Sequence, residues 1–324
     1  MSALANVVRA EWFKVWRKRR MFVLAGLYWL LFPVVVLVVA RAIFVNLGDS
    51  FANDAGAVDM VMQQLVGPYG LARLMLLGPA YMSPTFYIVA VTLIAALLIG
   101  DERGQNMWKT VLVVQPSRVA VMTGKVVVAM LALGVLLLGA ALSGALFGAL
   151  GTLFLPTALS GGAWGELLGL YLTQWAFLLA PVLLAFLLIL VVRSGVLGVV
   201  MVLFLPAMLE ALYGLITTIS QLQPLNRINA VFQALRLRRA WEALPEYFFT
   251  ANLYSPARKP LAGLVASFGS EVSAEVGDEL RDFGPFGDLL GAGITVPHAA
   301  WVMALYALVF AALLYWTFLR RDID

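Results

Sequence analysis

Apolar runs of about twenty residues, separated by short polar segments, dominate the hydropathy pattern of this chain. A helix that crosses the hydrocarbon core of a bilayer needs about 20 such residues. The pattern predicts six membrane-spanning helices, near residues 21–43, 78–100, 126–150, 167–192, 195–218 and 299–319. The first run is longer than the apolar part of a signal peptide and no cleavage site follows it, so we interpret it as a retained span.

The composition agrees with a membrane environment. Hydrophobic residues make up 62% of the 324 positions and charged residues 12%, against about 25% charged in soluble proteins. The chain has no cysteine and one histidine, His298, which excludes disulfides, thiolate chemistry and metal sites rich in cysteine or histidine. No Walker A, H-E-x-x-H or G-x-S-x-G motif occurs, so we expect no ATP-binding or catalytic site on this chain.

The basic residues of the short loops predict the orientation. Lysine and arginine are concentrated before the first span, between the second and third spans, and after the sixth. With six spans, these basic segments all fall on one side. We therefore predict two cytoplasmic termini, a cytoplasmic loop at 101–125 and an external segment at 219–297 with short helices before the last span. Residues 1–324 would form one all-α transmembrane domain.

The first twenty residues predict an amphipathic helix. Its apolar positions recur at helical spacing: Leu4, Val8, Trp12 and Val15 or Trp16. Such a helix would lie in the inner headgroup layer with its apolar side towards the lipid tails and its cations towards anionic lipid. An ordinary basic anchor for the first span is the simpler interpretation.

The loop at 101–125 has a more specific pattern. Asp101 and Glu102 suit the first turn of a short helix, because acidic side chains oppose the positive end of the helix dipole. Pro116 would end that helix, Ser117 would cap the next one, and Lys125 would lie at the membrane surface. We expect the charges of this loop to be exposed.

This loop resembles the corresponding segment of ABC type-2 transporter permeases. The shared order is an acidic pair and glycine, an apolar helix, Pro-Ser-Arg, and a lysine that opens the next span. The matching residues are Glu102, Gly104, Leu112, Pro116, Ser117, Arg118 and Lys125. The cationic start also resembles the amino-terminal elbow helix of that family, whereas Gln105 stands where the family more often has threonine.

The resemblance implies the membrane subunit of an ATP-driven exporter in the cell (inner) membrane. It implies cytosolic ATPase subunits as partners, together with a second permease that is either a copy or a relative. ATP and magnesium would then bind the ATPase partner, and this chain would bind no cofactor and no nucleic acid. By analogy, the residues that receive the motion of the ATPase are Asp101, Glu102, Arg103, Gly104, Trp108, Pro116, Ser117 and Arg118.

Two other functions remain open at this stage. One is a self-contained, ion-coupled secondary transporter, which usually has several charged groups at mid-membrane and repeated halves. The other is a membrane scaffold or sensor that transports nothing and uses the segment 219–297 for binding.

Two features inside the predicted spans complete the set of candidates. Gly144 and Gly148 form a G-x-x-x-G pair, which predicts close helix packing within the subunit or, alternatively, a moving substrate path. Glu210 is the acid nearest the middle of a span and is a candidate for the transport path. We expect the fifth span to break after Pro206, so that this carboxylate reaches external water.

Overall fold

The structure, a computed structural model, describes residues 3–47, 62–78, 85–104, 117–159, 162–192, 194–221, 238–257 and 294–320. Regular structure within these ranges is helical throughout, which confirms the all-α class. The predicted coupling helix after Gly104, with Trp108 and Pro116, lies outside the described residues. Most of the segment 219–297 lies outside them as well.

The amino-terminal part of the chain forms five helices. They are α1 (Ala3–Arg17), α2 (Arg19–Gly26, a π-helical turn Leu27–Leu31, and Phe32–Leu47), α3 (Pro68–Leu77), α4 (Phe86–Ala95, a π-helical turn Ala96–Gly100, and Asp101–Gly104) and α5 (Arg118–Gly151).

The remainder of the described chain forms six more. They are α6 (Trp164–Phe177), α7 (Leu179–Val192), α8 (Gly195–Gln221), α9 (Arg238–Ala243), α10 (Phe249–Leu253) and α11 (Val296–Arg320), with a 3-10 turn Leu244–Tyr247 between α9 and α10.

Five stretches of the described residues are long and apolar enough to cross a membrane. They are Arg19–Val45, Arg118–Gly151, Trp164–Val192, Gly195–Ile219 and Val296–Arg320. The predicted second span corresponds to a shorter apolar helix, Phe86–Gly100. Its length is about 22 Å at 1.5 Å per residue, which is less than the ~30 Å hydrocarbon core. The structure therefore supports five of the six predicted spans and shortens the predicted second span.

Two helices, α3 and α4, pack on α5 at different positions along its length. The end of α4 lies beside Lys125 of α5, because Lys125 donates a hydrogen bond to the Leu98 carbonyl. Helix α3 packs about 28 Å further along α5, where a Cβ added to Gly144 would lie 2.7 Å from the Ala72 Cα. A Cβ at Gly148 would lie 2.6 Å from the Pro68 Cα. The two glycines thus provide packing within the subunit, which confirms that interpretation of the G-x-x-x-G pair.

Hydrogen bonds from two side chains satisfy the carboxyl-terminal end of α3, where the chain turns towards α4. The Met75 carbonyl lies in the last turn of α3, where carbonyls have no partner within the helix. It accepts hydrogen bonds from the hydroxyls of Tyr28 and Tyr87, both at 2.6 Å. Gly78 then turns the chain with φ +63. An unpaired carbonyl at membrane depth costs several kcal/mol, so these two tyrosines stabilise the interruption.

The largest core lies where α4, α5 and α7 meet, and its fully buried members include Leu98, Ile99, Leu133, Leu137 and Phe186. A second core joins the far end of α4 to α10 and α11 through residues such as Ile88, Phe249 and Met303. Leu77 of α3 packs with Ala257, just beyond α10. Short helices therefore fill the end of the bundle that is opposite Lys125.

Candidate functional site at the junction of α1, α4 and α5

Helix α1 packs on α5 with part of its apolar face. Lys18 breaks the chain between α1 and α2 with extended dihedrals, φ −82 and ψ 116, and α1 then turns onto α5. A Cβ added to Gly124 would lie 2.5 Å from the Val7 Cγ1, so the glycine lets α1 and α5 approach closely at this valine. Val15 is buried in the main core. Part of the predicted apolar face, Val8 and Val15, therefore packs on the protein, and the position of α1 in the headgroup layer stays a prediction.

The two acidic residues at the start of the loop 101–125 end α4 and do not begin a new helix. Asp101 has helical dihedrals, φ −63 and ψ −41, and follows the π-helical turn without a break. π-Helical turns occur often at functional sites, and this one carries the Leu98 carbonyl that faces Lys125. The prediction that Asp101 and Glu102 stand at a helix start is thus wrong, because the chain is already helical when it reaches them.

Lys125 is completely buried and meets three oxygen atoms. Its Nζ donates hydrogen bonds to Glu11 Oε1 at 2.6 Å and to the Leu98 carbonyl at 2.8 Å. It also lies 2.8 Å from Glu102 Oε2, as a close ion pair. An ammonium group has three hydrogens, so three acceptors compensate much of its desolvation. The sequence predicted Lys125 at the membrane surface, and the structure places it in the interior instead.

Further charges continue the arrangement towards the surface. Lys14 Nζ lies 2.6 Å from Glu102 Oε1 and 3.7 Å from Glu11 Oε2. Lys18 Nζ lies 3.0 Å from Asp101 Oδ2, and an Arg20 nitrogen lies 3.8 Å from Asp101 Oδ1. We call the set Glu11, Lys14, Lys18, Arg20, Asp101, Glu102 and Lys125 the ionic cluster. The cluster contains three carboxylates and four cations, and Arg20 is the most exposed of the cations.

The cluster keeps the carboxyl group of Glu102 ionised. Burial alone would raise its pKa, but the charges of Lys125 and Lys14 act in the opposite direction and prevail. The pKa of Glu102 is therefore lowered from its ordinary value of 4.5. Its carboxylate is 5% exposed, so the expectation of an exposed charge at this position is wrong.

The other described residues of the predicted coupling loop lie outside the ionic cluster, at the end of α4 and the start of α5. Ser117 accepts a hydrogen bond from the Ala120 amide at 3.3 Å, which confirms it as the cap of α5. Arg118 donates to the Leu319 carbonyl at 3.3 Å and so connects α5 with α11. The backbones of Arg103 and Gly104 belong to the last turn of α4.

Four members of the cluster were not predicted as site residues: Glu11, Lys14, Lys18 and Arg20. One signal was available: Glu11 is the only acid before Asp49, and Val7 and Val15 stand four positions on either side of it. Residues at i−4 and i+4 share a helix face. An acid between two apolar residues of one face indicates a buried carboxylate that needs a cation.

Glu210 occupies a separate site on α8. This helix continues through Pro206 without interruption, so the expected break is wrong. Glu210 Oε1 accepts a hydrogen bond from the Thr250 amide at 2.8 Å, and its Oε2 accepts one from the Thr250 hydroxyl. Its carboxylate therefore binds the first turn of α10 and holds that short helix against α8.

The ionic cluster can act as a joint between three helices. Glu11 lies on α1, Glu102 on α4 and Lys125 on α5, and a displacement of any one of them would leave a buried charge without its partner. Removal of one partner of a buried ion pair typically costs about 3–5 kcal/mol. The three helices are thus constrained to move together. Among the described residues, no group of three acids or histidines has the arrangement of a metal site.

Comparison with known proteins identifies the family. Residues 7–208 match the ABC-2 family transporter proteins, and this range contains six helices and every residue of the ionic cluster. The searches of curated proteins and of solved structures gave no match. The match covers more than half of the chain, and the chain is therefore a multi-pass membrane protein of the ABC-2 transporter permease family.

Proposed function

We propose that this chain is the membrane-spanning permease subunit of an ATP-driven exporter. It would work with separate cytosolic ATPase subunits and with a second permease, either a copy of itself or a relative. Family membership supports the permease role. The absence of a Walker A motif from the sequence is consistent with ATP hydrolysis on a partner chain.

The position of the ionic cluster relative to the loop at 101–125 carries this proposal. Glu102 stands at the start of the loop and Lys125 at its end, and their charged atoms lie 2.8 Å apart. The base of the loop is thus closed by a buried ion pair, to which Glu11 attaches α1. A force applied to the loop would act on α1, α4 and α5 together. This is the mechanical requirement for a loop that receives the stroke of an ATPase.

Purification of the tagged chain from its native membrane tests the proposal. A cytosolic ATPase should co-purify in stoichiometric amount, and its hydrolysis should depend on the permease after reconstitution. Replacement of Lys125 by methionine should reduce this dependence. Replacement of the half-exposed Lys18 by glutamine serves as the matched control and should leave most of it. Recovery of the chain with no ATPase would refute the proposal.

The geometry of Glu210 favours one competing function, an ion-coupled carrier. Its carboxylate lies in an unbroken membrane helix and is held by Thr250, and ionisable groups at such positions often bind the coupling ion. Proteoliposomes distinguish the two functions. A carrier would transport in response to an imposed proton or sodium gradient without ATP, whereas the exporter would require ATP and its ATPase.

A further inference from the structure

We propose that the buried carboxyl-terminal end of α10 binds an alkali cation. The site consists of the side-chain oxygens of Asn252 and Ser255 together with backbone carbonyls at the end of α10, and we call it the α10 oxygen site. It is separate from the ionic cluster and from Glu210, which binds the first turn of α10. The proposal does not depend on ATPase coupling.

Two polar side chains of this segment are buried with an unsatisfied oxygen. Asn252 is 0% exposed and Ser255 is 2% exposed. Within the described part of the chain, neither Asn252 Oδ1 nor Ser255 Oγ has a hydrogen-bond partner. Buried polar atoms of native proteins nearly always have a partner, and an unmodified exception often marks a bound water or ion. Two such oxygens three positions apart therefore indicate a bound group.

The contacts of Asn252 determine which of its atoms is available to a ligand. Its Nδ2 donates one hydrogen bond to the Glu246 carbonyl at 2.8 Å and another to the Phe248 carbonyl at 2.7 Å. An amide nitrogen has two hydrogens, so both are used, and the side chain cannot turn over without losing both bonds. Oδ1 is therefore held in place as an acceptor, which is what a ligand of a cation must be.

The backbone places Ser255 beside Asn252. After α10 ends, the chain continues with helical dihedrals at Tyr254, φ −92 and ψ 0, and the Ala257 amide donates to the Tyr254 carbonyl at 3.0 Å. Residues three positions apart on a helix are neighbours, with Cβ atoms about 5–6 Å apart. One small ion can therefore contact both side-chain oxygens.

Two helix ends favour a cation over a neutral guest. The last carbonyls of a helix have no partner within it and carry the negative end of its dipole. The α10 oxygen site lies at such an end, and Leu77, the last residue of α3, packs against Ala257, two positions after Ser255. Neutral oxygens at the carboxyl ends of short membrane helices are known ligands of sodium. A water molecule would satisfy the same two oxygens but would gain less from this negative potential.

Thermal unfolding of the full-length protein in detergent tests the proposal, with sodium as the probe. The unfolding temperature is measured in sodium chloride and in choline chloride at equal ionic strength, because choline is too large for the site. Sodium at about ten times its Kd should raise the unfolding temperature by about 2–4 °C. Hydrogen exchange of residues 249–257 should slow in sodium chloride, which would locate the effect at the α10 oxygen site.

Ser255→Ala is the variant that identifies the site. It removes one ligand without breaking a hydrogen bond among the described residues. It should therefore be as stable as the wild type in choline chloride and should lose the response to sodium. Thr157→Val is the matched control, because Thr157 Oγ1 is also buried without a partner in the described chain but lies in the turn after α5. It should keep the full response.

Two results would contradict the proposal. Equal unfolding temperatures of the wild type in the two salts would overturn it and would assign the two oxygens to a water molecule. A sodium response that persists in Ser255→Ala would overturn it too, because the cation would then bind elsewhere on the protein.

Discussion

The Nζ of Lys125 lies 2.6 Å from Glu11 Oε1, across 114 positions of sequence. This ion pair attaches the amino-terminal helix to the long helix α5 at a point where water has no access to the lysine. Because Glu102 approaches the same ammonium group, the pair also involves the end of α4. The most enclosed charge of the described chain thus lies at the base of the loop for which the family resemblance implies contact with the ATPase.

The first prediction concerns the stability of this joint. Lys125→Met should destabilise the protein by about 3–5 kcal/mol, because it leaves Glu11 and Glu102 buried without their cation. Lys18→Met should cost about 0–1 kcal/mol, since Lys18 is partly exposed in its pair with Asp101. Thermal unfolding in detergent measures both. The double variant Glu102→Gln/Lys125→Met should recover part of the stability that Lys125→Met loses. A loss in the double variant equal to the sum of the losses in Glu102→Gln and Lys125→Met would contradict the contact between these two residues.

The second prediction concerns pH. The pKa of Glu102 is lowered in the folded protein, so its ion pairs contribute their full stability above the ordinary value and lose it as the pH falls through the lowered value. The unfolding temperature of the wild type should therefore fall on acidification more than that of Glu102→Gln. The variant should start lower at neutral pH, and the two curves should converge in acid. Parallel curves would show that Glu102 does not titrate in this way.

These two predictions depend on contacts that the sequence pattern only partly indicated. Long apolar runs and the capping residue Ser117 follow local rules, and the structure confirms most spans and the cap. The burial of Lys125 does not follow local rules, because it depends on Glu11 and Glu102, which reach the lysine only when α1 folds back onto α5. The hydropathy pattern also started the second span at residue 78, whereas the helix there begins only at Phe86 and a separate helix, α3, precedes it. The interruption between α3 and α4 depends on Tyr28, a residue of another helix, which together with Tyr87 donates a hydrogen bond to the Met75 carbonyl.

The third prediction uses the glycines of α5. Gly144→Ala should displace α3, because the new Cβ would meet backbone atoms of Leu71 and Ala72 at 2.7 Å. Gly165→Ala is the control, since nothing lies within 4 Å of its added Cβ. We expect a loss of about 1–3 kcal/mol for the first change, as for overpacking in other cores. Equal stability of the two variants would contradict the packing of α3 on α5.

Gly124 offers a test by compensation. Its added Cβ would meet the Val7 side chain at 2.5 Å, and a side chain can be shortened where a backbone cannot. Val7→Ala removes the contact at 2.5 Å and leaves the Val7 Cβ at 3.1 Å, so it should rescue part of the loss in Gly124→Ala and none of the loss in Gly144→Ala. The rescue is measured by the unfolding temperatures of Gly124→Ala and Gly144→Ala, each with and without Val7→Ala. Protease sensitivity of α1 in the same proteins is a second measure. Failure of the rescue would mean that α1 does not lie on α5 at Gly124.

The last prediction concerns Glu210 and distinguishes a structural from a transport role. Glu210 accepts hydrogen bonds from both the amide and the hydroxyl of Thr250. Thr250→Val removes the hydroxyl and leaves the amide, so α10 should remain attached, whereas Glu210→Ala removes both contacts and should release it. Hydrogen exchange of residues 249–253 reports the release and should rise in Glu210→Ala alone. Glu210→Gln keeps one acceptor and should insert and exchange like the wild type. If its transport nevertheless falls, the charge of Glu210 contacts the cargo or a coupling ion, and if transport persists the residue only anchors α10.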